Sequence, residues 1–393
     1  MDTFETGAPK RDAIPLEHEH ETHGPSDTGM MTHRFYAFNT VVTLQAYADP
    51  DRCRTAFEDA RAACRSFERS LSRTLPHSDI ARLNAAEGAS TPIGADTAQL
   101  LNEALRYCAD SEGRFDITMG AAVRLWNFHK GVIPDQIALE EALSHVNWRG
   151  VHVEQTDGGW EARLDDPQAA VDVGGIAKGW IADRLAELLA SHGLESFIVN
   201  LGGNVVAHGQ KPDGSPWRIG LQDPRDKHAL VGAVAIREAS AVTSGVYERC
   251  FTRNGALYHH ILNPETGYPV QTDAAGATVL ARRSIDAEGY STTLLALGIE
   301  RGCAFARKHP AIFAGYFVTP YGNLIYGSAT VHATRNERRA RSHGARLLYK
   351  YAKRLGKYFL SLSGANLGNG AFGLGHEGLE QRLAVLGKLN HAG

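Results

Sequence analysis

The feature that most constrains the fold is a run of strand-like segments over residues 195–263, with no helical pattern between one segment and the next. The segments are rich in apolar and β-branched residues, and turn signals such as GG, PDG and NPETG accompany them. In chain order they are ESFIVNLGGNVVAHG, WRIGLQD, LVGAVAIR, SAVTSG and YHHILN. A doubly wound parallel sheet requires regular alternation of strands and helices, so the pattern predicts an α+β fold instead.

Hydrophobic periodicity predicts the other elements. The segment RFYAFNTVVTLQAYA predicts a strand, with order beginning near His33, and a helix follows over residues 51–70. Apolar residues at helical spacing after VDVGGIAKGW predict a helix that ends at Gly193. The remaining predicted elements are short strands in GRFDITMG, DGGWEARL and AAVDVG, a helix over residues 285–297, a shorter helix over residues 301–308, and a strand pair around residues 316–326.

The first part of the chain differs in composition from the rest. Residues 1–30 are polar, contain proline and lack periodicity, so we predict a disordered leader followed by a folded domain over residues 31–330. His18, His20 and His23 of the leader could chelate a metal, and a solvated tail is the alternative interpretation.

The last part of the chain is basic. Residues 335–357 contain nine Arg or Lys against one acid, Glu337, beside an apolar stripe, which predicts a basic helix in a C-terminal extension over residues 331–393. Such a helix could make weak contact with an anionic membrane surface, bind nucleic acid or an acidic partner, or pack on its own domain.

Bulk composition excludes several classes of protein. The formal net charge of -3 does not suggest general nucleic-acid binding, and the five cysteines form no CxxC pair, so neither a thiolate zinc site nor a disulfide framework is indicated. The first thirty residues lack an apolar signal region, and no later segment approaches the roughly 18 apolar residues of a membrane span. We therefore expect a cytoplasmic protein without a transmembrane segment.

The segment VDVGGIAKGW is the first candidate site. Glycines before a helix let an anion approach the unpaired N–H groups of the first turn, and Lys178 would add a full positive charge. The spacing matches neither the Walker nor the GxGxxG pattern, and a tightly packed turn is the alternative. Asp172 is better suited to hydrogen bonds from a ligand's sugar, ring N–H or metal-bound water than to phosphate.

Two further segments could carry chemistry. In DAEGYSTTLLALG, residues Glu288, Ser291 and Thr292 share one helix face, and their oxygens suit Mg²⁺, although such a face is commonplace. In SGVYERCFTRNGALYHHILNPETGYPV, His259 and His260 adjoin a strand and must face opposite sides. One of them could act as a general base, and a structural histidine is the alternative.

Taken together, these segments resemble the ApbE family, the flavin transferases that move FMN from FAD onto a protein. The resemblance covers about residues 34–328, and its carriers, in order, are LSRTLPHSDIARLN, GRFDITMGAAVRLWNF, VDVGGIAKGWIADRLAELL, IVNLGGNVVAHG, PDGSPWRIGLQDP, AVTSGVYERCF, HHILNPETGYPV and AEGYSTTLLALG. It implies a T-fold-like α+β architecture of antiparallel sheets and packed helices, with FAD in a cleft and Mg²⁺ at its pyrophosphate.

The resemblance also implies roles for individual residues. The residues that would contact FAD are Phe38, Thr74, Arg114, Phe115, Asp116, Asp172, Lys178 and Ile261. The Mg²⁺ ligands would be the Gly175 carbonyl and the side chains of Glu288, Ser291 and Thr292. His260 would be the catalytic base, with Asp116 as the alternative.

The implied reaction is attack of a threonine hydroxyl, in an acceptor protein with an FMN-binding type of domain, on the FMN-side phosphorus of FAD, with loss of AMP. The alternatives are a hydrolase that converts FAD into FMN and AMP, or a non-catalytic FAD-binding or carrier protein. The chain departs from the family pattern at Phe38-Asn39-Thr40 in place of Met-Gly-Thr, at Thr74 in place of an aromatic, and at Glu288 in place of Asp. It also lacks the export signal and lipid-bearing cysteine of many members.

Overall fold

The computed structural model describes residues 20–328, and the structural statements below concern those residues. The predictions for residues 1–19 and for the basic extension lie outside this range. Within it, the helices are α1 (Pro50–Leu71), α2 (Asp79–Asn84), α3 (Ala95–Asp110), α4 (Gly120–Val123), α5 (Gln136–Ser144), α6 (Ala177–Ser191) and α7 (Ser284–Lys308), with a 3₁₀ turn at Trp148–Gly150. None of these helices combines the length and apolar character that a bilayer crossing requires.

The strands form one large antiparallel sheet and three small ones. The strands, in chain order, are β1 (His20–His23), β2 (Met31–Ala37), β3 (Thr40–Ala46), β4 (Thr91–Ile93), β5 (Val151–Thr156), β6 (Gly159–Leu164), β7 (Phe197–Leu201), β8 (Asn204–His208), β9 (Trp217–Asp223), β10 (Asp226–Ile236), β11 (Ala239–Gly245), β12 (Cys250–Arg253), β13 (Ala256–His259), β14 (Gly276–Ala281), β15 (Ile312–Val318) and β16 (Leu324–Ser328). The nine-stranded sheet has the order β1-β2-β3-β7-β8-β11-β14-β15-β16, and the small sheets are β9-β10, β12-β13 and β4-β6-β5. The predicted α+β class is confirmed.

The large sheet is covered on both faces. Helices α1, α6 and α7 pack on one face and enclose the main apolar core, while the β9–β10 hairpin covers part of the other face around Trp217 and Leu221. Central strands such as β14 are therefore buried throughout, which agrees with the continuous apolar runs in the sequence. A third cluster around Trp126 joins α4 and α5 to the residues that follow β13.

Several predicted elements are confirmed by the structure. Helix α1 matches the predicted helix over residues 51–70, and Asp49 caps it by accepting hydrogen bonds from the N–H groups of Asp51 and Arg52 at 3.1 and 3.0 Å. The two helices predicted over residues 285–308 are the two parts of α7, which are separated by non-helical backbone at Gly298.

The N-terminal strand prediction was wrong in detail. Residues 34–48 form a hairpin of β2 and β3 because Phe38 and Asn39 both have positive φ, at 53° and 58°, as a two-residue type I′ turn requires. Order also begins before His33, since His20–His23 form β1 and pair with β2. The part of the predicted leader from residue 20 onward is therefore in contact with the sheet.

The short strands predicted in AAVDVG and GRFDITMG do not form; the two segments make one isolated parallel bridge, between Met119 and Ala170, and side chains take some of the other backbone hydrogen bonds. In AAVDVG, the Asn84 amide donates to the Val171 carbonyl at 2.8 Å and accepts from the Val171 N–H at 2.7 Å. In GRFDITMG, the Asp116 carboxylate accepts from the Thr118 N–H at 2.7 Å, which closes a turn.

Candidate active site

The N-terminus of α6 meets the second turn of α7. Lys178 Nζ lies 2.6 Å from Glu288 Oε1 and also donates to the Gly174 carbonyl at 3.3 Å. The backbone N–H of Gly179 donates to the second Glu288 oxygen. Glu288 is only 5% exposed, so the carboxylate is held by one full positive charge and one helix N–H in a largely dry place.

Gly179 permits this close approach of the two helices. A β-carbon at this position would lie 2.7 Å from the Ser284 carbonyl oxygen and 2.8 Å from Ile285 Cα, both of them backbone atoms. The third glycine of VDVGGIAKGW therefore serves helix packing, and that packing is what brings Lys178 to Glu288.

The two helices also cap each other. Asp183 of α6 accepts hydrogen bonds from the N–H groups of Ser284 and Ile285 at 2.6 and 3.0 Å, in the first turn of α7. Burial raises the Asp183 pKa to about 6, although these hydrogen bonds favour the ionised form. Asp183 and Glu288 thus each stabilise the N-terminus of the opposite helix, which fixes the relative position of the two candidate segments.

The hydroxyl groups of α7 meet the end of β11. Ser244 Oγ lies 2.8 Å from Ser291 Oγ and 3.1 Å from Thr292 Oγ1, and Ser291 donates to the Glu288 carbonyl at 3.0 Å. Ser291 is fully buried, whereas Thr292 retains some exposure. The arrangement leaves Thr292 more accessible to an ion than Ser291.

Asp172 lies where three segments converge. Its Oδ2 lies 3.1 Å from Arg73 Nε, in the loop after α1, and its N–H donates to the Ile117 carbonyl at 2.7 Å. A β-carbon on Gly175 would lie 3.2 Å from Phe115, so the predicted phosphate loop runs alongside the GRFD segment. Arg73 was not predicted from the sequence, although it adjoins Thr74.

Other predicted ligand-binding residues have mainly local partners. Arg114 interacts with its own turn through the Ser111 carbonyl and Glu112, and the hydroxyl of Thr74 lies 3.1 Å from that of Ser72. The N–H of Phe38, in the β2–β3 turn, donates to Glu68 near the end of α1 at 2.7 Å. Burial raises the Asp116 pKa, while hydrogen bonds from Thr118 oppose that shift.

The two predicted histidines have different environments. His259 is the buried last residue of β13, and His260 follows it with partial exposure. Burial lowers the His260 pKa to about 3, and the positive charges of Arg249 and Lys178 contribute. His260 is therefore an uncharged imidazole within electrostatic range of Lys178, and its Nδ1 has no hydrogen-bond partner in the described part of the chain. The adjacent Ile261 is buried and accepts a hydrogen bond from the Val270 N–H at 3.0 Å.

The segment SGVYER also contributes to this region. Burial raises the Glu248 pKa, and the charges of Lys178 and Arg249 partly offset the shift. Glu248 is nevertheless exposed to solvent. The Arg249 carbonyl accepts the His260 N–H at 3.1 Å. The sequence predicts a role only for the histidines that follow this segment, because an isolated Glu-Arg pair carries no spacing signal.

The donor chemistry around Lys178 suits a cation. The Lys178 ammonium group contacts the Gly174 carbonyl oxygen and a Glu288 carboxylate oxygen. The Thr292 hydroxyl is one helical turn from Glu288. Within residues 20–328, the Gly175 carbonyl accepts no hydrogen bond. The predicted ligands are all hard oxygens, as Mg²⁺ prefers, and Glu288 would have to be released at least in part by Lys178 to join them.

Comparison with known proteins identifies a family and several related proteins. The ApbE family model matches residues 38–317. A FAD:protein FMN transferase of Treponema pallidum (strain Nichols) is 38% identical over 283 residues, which cover 67% of this chain and 77% of that protein. A FAD:protein FMN transferase of Klebsiella pneumoniae (strain 342) is 32% identical over 309 residues, which cover 76% of this chain and 94% of that protein.

Solved structures show the same fold. The crystal structure of an ApbE protein from Thermotoga maritima aligns with a TM-score of 0.69 at 26% identity, covering 75% of this chain and 96% of that one. The flavin transferase ApbE from Vibrio cholerae aligns with a TM-score of 0.67 at 25% identity, covering 77% of this chain and 97% of that one.

Proposed function

The chain belongs to the ApbE family, and we propose that it is a Mg²⁺-dependent flavin transferase that moves FMN from FAD to a threonine of an acceptor protein with release of AMP. The observation that carries the proposal is the contact between Lys178 and Glu288, because it joins the glycine segment suited to a pyrophosphate to the helix face suited to a metal. The relatives that are FAD:protein FMN transferases support the same reaction.

The proposed metal ligands are Glu288, Thr292 and the Gly175 carbonyl, with Ser291 behind them. When bound there, Mg²⁺ would supply positive charge against the pyrophosphate and polarise the phosphorus that is attacked. Ser291 is fully buried and bonded to Ser244, so its proposed contribution is to position Thr292 and the helix turn rather than to bind directly. With FAD and metal bound, Lys178 would contact the pyrophosphate in place of Glu288.

The loops around Asp172 are proposed to hold the rest of FAD. Asp172 and Arg73 would contact polar groups of the ligand at one side of the glycine loop, and Phe115 would support the loop through Gly175. The other FAD contacts stay predictions from the sequence: Phe38, Thr74, Arg114 and Ile261.

His260 is the proposed general base. Its imidazole is uncharged at neutral pH, so a nitrogen lone pair is available, although the lowered pKa makes it a weaker base than an ordinary histidine. The threonine Oγ forms a bond to the FMN-side phosphorus, its proton passes to His260, and the bond from that phosphorus to the bridging oxygen breaks, with AMP as the leaving group. The products are a phosphoester-linked flavin on the acceptor and free AMP. Asp116 is a poorer candidate, because Thr118 already occupies one of its oxygens.

The test is incubation of the full chain with FAD, Mg²⁺ and an acceptor domain that carries a flavinylation threonine, followed by intact-mass analysis of the acceptor and chromatography of the nucleotides. We expect a mass gain of one FMN residue, equimolar AMP, no reaction with EDTA, and no gain when the acceptor threonine is replaced by alanine. Free FMN and AMP without a mass gain would identify a hydrolase, and tight FAD binding without turnover would identify a carrier.

A further inference from the structure

A second group of potential metal ligands lies between strand β1 and helix α1. One ligand atom from each of His20, His33 and Glu58 lies within 4.8 Å of the other two. These residues come from three different elements: His20 from β1, His33 from β2 and Glu58 from α1. None of them takes part in the candidate active site.

The strand register explains why the two histidines meet. Thr22 pairs with His33 and His20 pairs with Phe35, so all four side chains project from the same face of the β1–β2 ribbon. That face packs against α1, since the His33 ring stacks on Phe57 at a centroid distance of 5.8 Å. The His20 and His33 rings are 5.4 Å apart.

Both histidines have buried nitrogens that make no hydrogen bond within residues 20–328. Among residues 20–328, His20 Nδ1 and His33 Nε2 are inaccessible to solvent and make no hydrogen bond. His33 is fully buried. Buried polar atoms without a hydrogen-bond partner require an explanation, and a ligand bound between these two nitrogens and the Glu58 carboxylate would provide one.

The surrounding side chains orient the three groups as they would around a metal. The Thr22 hydroxyl and His33 Nδ1 share a hydrogen bond of 2.7 Å, which leaves Nε2 as the free nitrogen. Arg61 donates to Glu58 Oε2 from Nε and Nη2, at 3.0 and 2.6 Å, and Glu58 Oε1 lies 3.6 Å from His20 Nδ1. In a tetrahedral zinc site with bonds of about 2.0–2.1 Å, neighbouring ligand atoms are roughly 3.4 Å apart.

We propose that His20, His33 and Glu58 bind a divalent transition metal of the zinc type, which links the N-terminal strand β1 to helix α1. Two imidazoles and one carboxylate suit Zn²⁺ better than Mg²⁺ or Ca²⁺, which prefer sets made only of oxygen ligands. The Glu58 side chain is 45% exposed, so the ion can enter from that side and a water can complete the coordination. The site is structural: it holds an edge strand of four residues against the domain.

The test uses the full chain, stripped with a chelator and kept in excess Mg²⁺ so that oxygen sites are occupied. Zn²⁺ affinity is measured by competition with a colorimetric chelator, and Co²⁺ serves as a spectroscopic probe of tetrahedral nitrogen and oxygen ligation. We expect one tight equivalent in the wild type and at least a tenfold loss of affinity in His20→Ala and in Glu58→Gln. These two substitutions are chosen because both side chains are partly exposed, whereas His33 belongs to the core.

His23→Ala is the matched control, because His23 is on the same strand but exposed and paired with Glu21. It should keep the tight equivalent. Hydrogen exchange of β1 should slow when Zn²⁺ is added to the wild type or to His23→Ala, and should not change in His20→Ala. Equal zinc affinity in His20→Ala and His23→Ala, or no tight equivalent in the wild type, would overturn the proposal.

Discussion

Lys178 Nζ lies 2.6 Å from Glu288 Oε1, so a salt bridge joins the first turn of α6 to α7. The two residues are 110 positions apart in the chain, and each belongs to a segment that the sequence marks as a candidate site. In the proposed reaction, the two residues have different roles: Lys178 binds the pyrophosphate and Glu288 binds the metal.

Replacement of Lys178 by methionine should affect both catalysis and stability. We expect transfer activity to fall at least 100-fold, because the pyrophosphate loses the positive charge of Lys178. The free energy of unfolding should fall by about 1–3 kcal/mol, since the buried Glu288 loses its charged partner. AMP release and urea unfolding measure the two effects. Lys178→Arg, which keeps the charge, should retain more of the stability than Lys178→Met. Full activity in Lys178→Met would contradict the assigned role.

Substitutions at Glu288 test the metal proposal. Glu288→Gln preserves shape but removes the charge, so we expect no measurable transfer at any Mg²⁺ concentration. Glu288→Asp keeps the charge on a side chain one methylene shorter and should stay active with an altered Mg²⁺ dependence. A Mg²⁺ titration of the initial rate measures both. Comparable rates for Glu288→Gln and the wild type would exclude Glu288 as a ligand.

Gly179→Ala tests the close contact of the helices. The added methyl group would lie 2.7 Å from the Ser284 carbonyl oxygen and 2.8 Å from Ile285 Cα. Because both are backbone atoms that cannot rotate away, we expect the free energy of unfolding to fall by about 1–3 kcal/mol. Gly158→Ala is the control, since its β-carbon would approach no atom closer than 3.7 Å. Denaturant unfolding of both variants measures the difference. Equal stability of the two variants would show that α6 and α7 can separate freely at this point.

The pH dependence tests the role of His260. An ordinary histidine gains a proton near pH 6.5, but burial holds the His260 pKa at about 3. The base should therefore stay unprotonated, and kcat/KM should show no loss assignable to His260 between pH 8 and 5.5. His260→Asn should lower kcat by about 10²–10⁴-fold, with FAD binding nearly unchanged. A tenfold fall in kcat/KM per pH unit below 6.5, absent from His260→Asn, would contradict the low pKa.

The same pKa has a consequence for folding. The unfolded chain takes up a proton at this histidine near pH 6.5 and the folded chain only near pH 3, so its contribution to stability is present above pH 6.5 and is lost as the pH falls toward 3. Thermal unfolding of the wild type and His260→Asn across that range measures the contribution.

Asp183 should have the opposite pH dependence. The Asp183 pKa is raised to about 6, so the folded chain binds this proton at a higher pH than the unfolded chain does. The favourable contribution of Asp183 to stability is therefore present below about pH 4 and is lost as the pH rises through 6. Asp183→Asn should therefore remove a decline in stability between pH 4 and 6. Parallel stability curves for the two proteins over this range would show that the Asp183 pKa is not raised.

Much of the fold follows from the sequence. The strand-rich region over residues 195–263, the helices α1, α6 and α7, and the α+β class all follow from local patterns, because apolar periodicity reports which face of an element is buried. The strands predicted in AAVDVG and GRFDITMG were wrong for an equally physical reason. The side chains of Asn84 and Asp116 take backbone hydrogen bonds of Val171 and Thr118, and apolar periodicity does not register that competition.

The sequence by itself determined which residue types are available for chemistry: a lysine after a glycine turn, oxygens on one face of a helix, and a histidine pair after a strand. Only the tertiary structure decided which of them meet. Gly179 lets α6 approach α7 closely enough for Lys178 to contact Glu288, and the pairing of β1 with β2 brings His20 to His33. Contacts between residues distant in the chain depend on packing and strand register, which local sequence patterns do not encode.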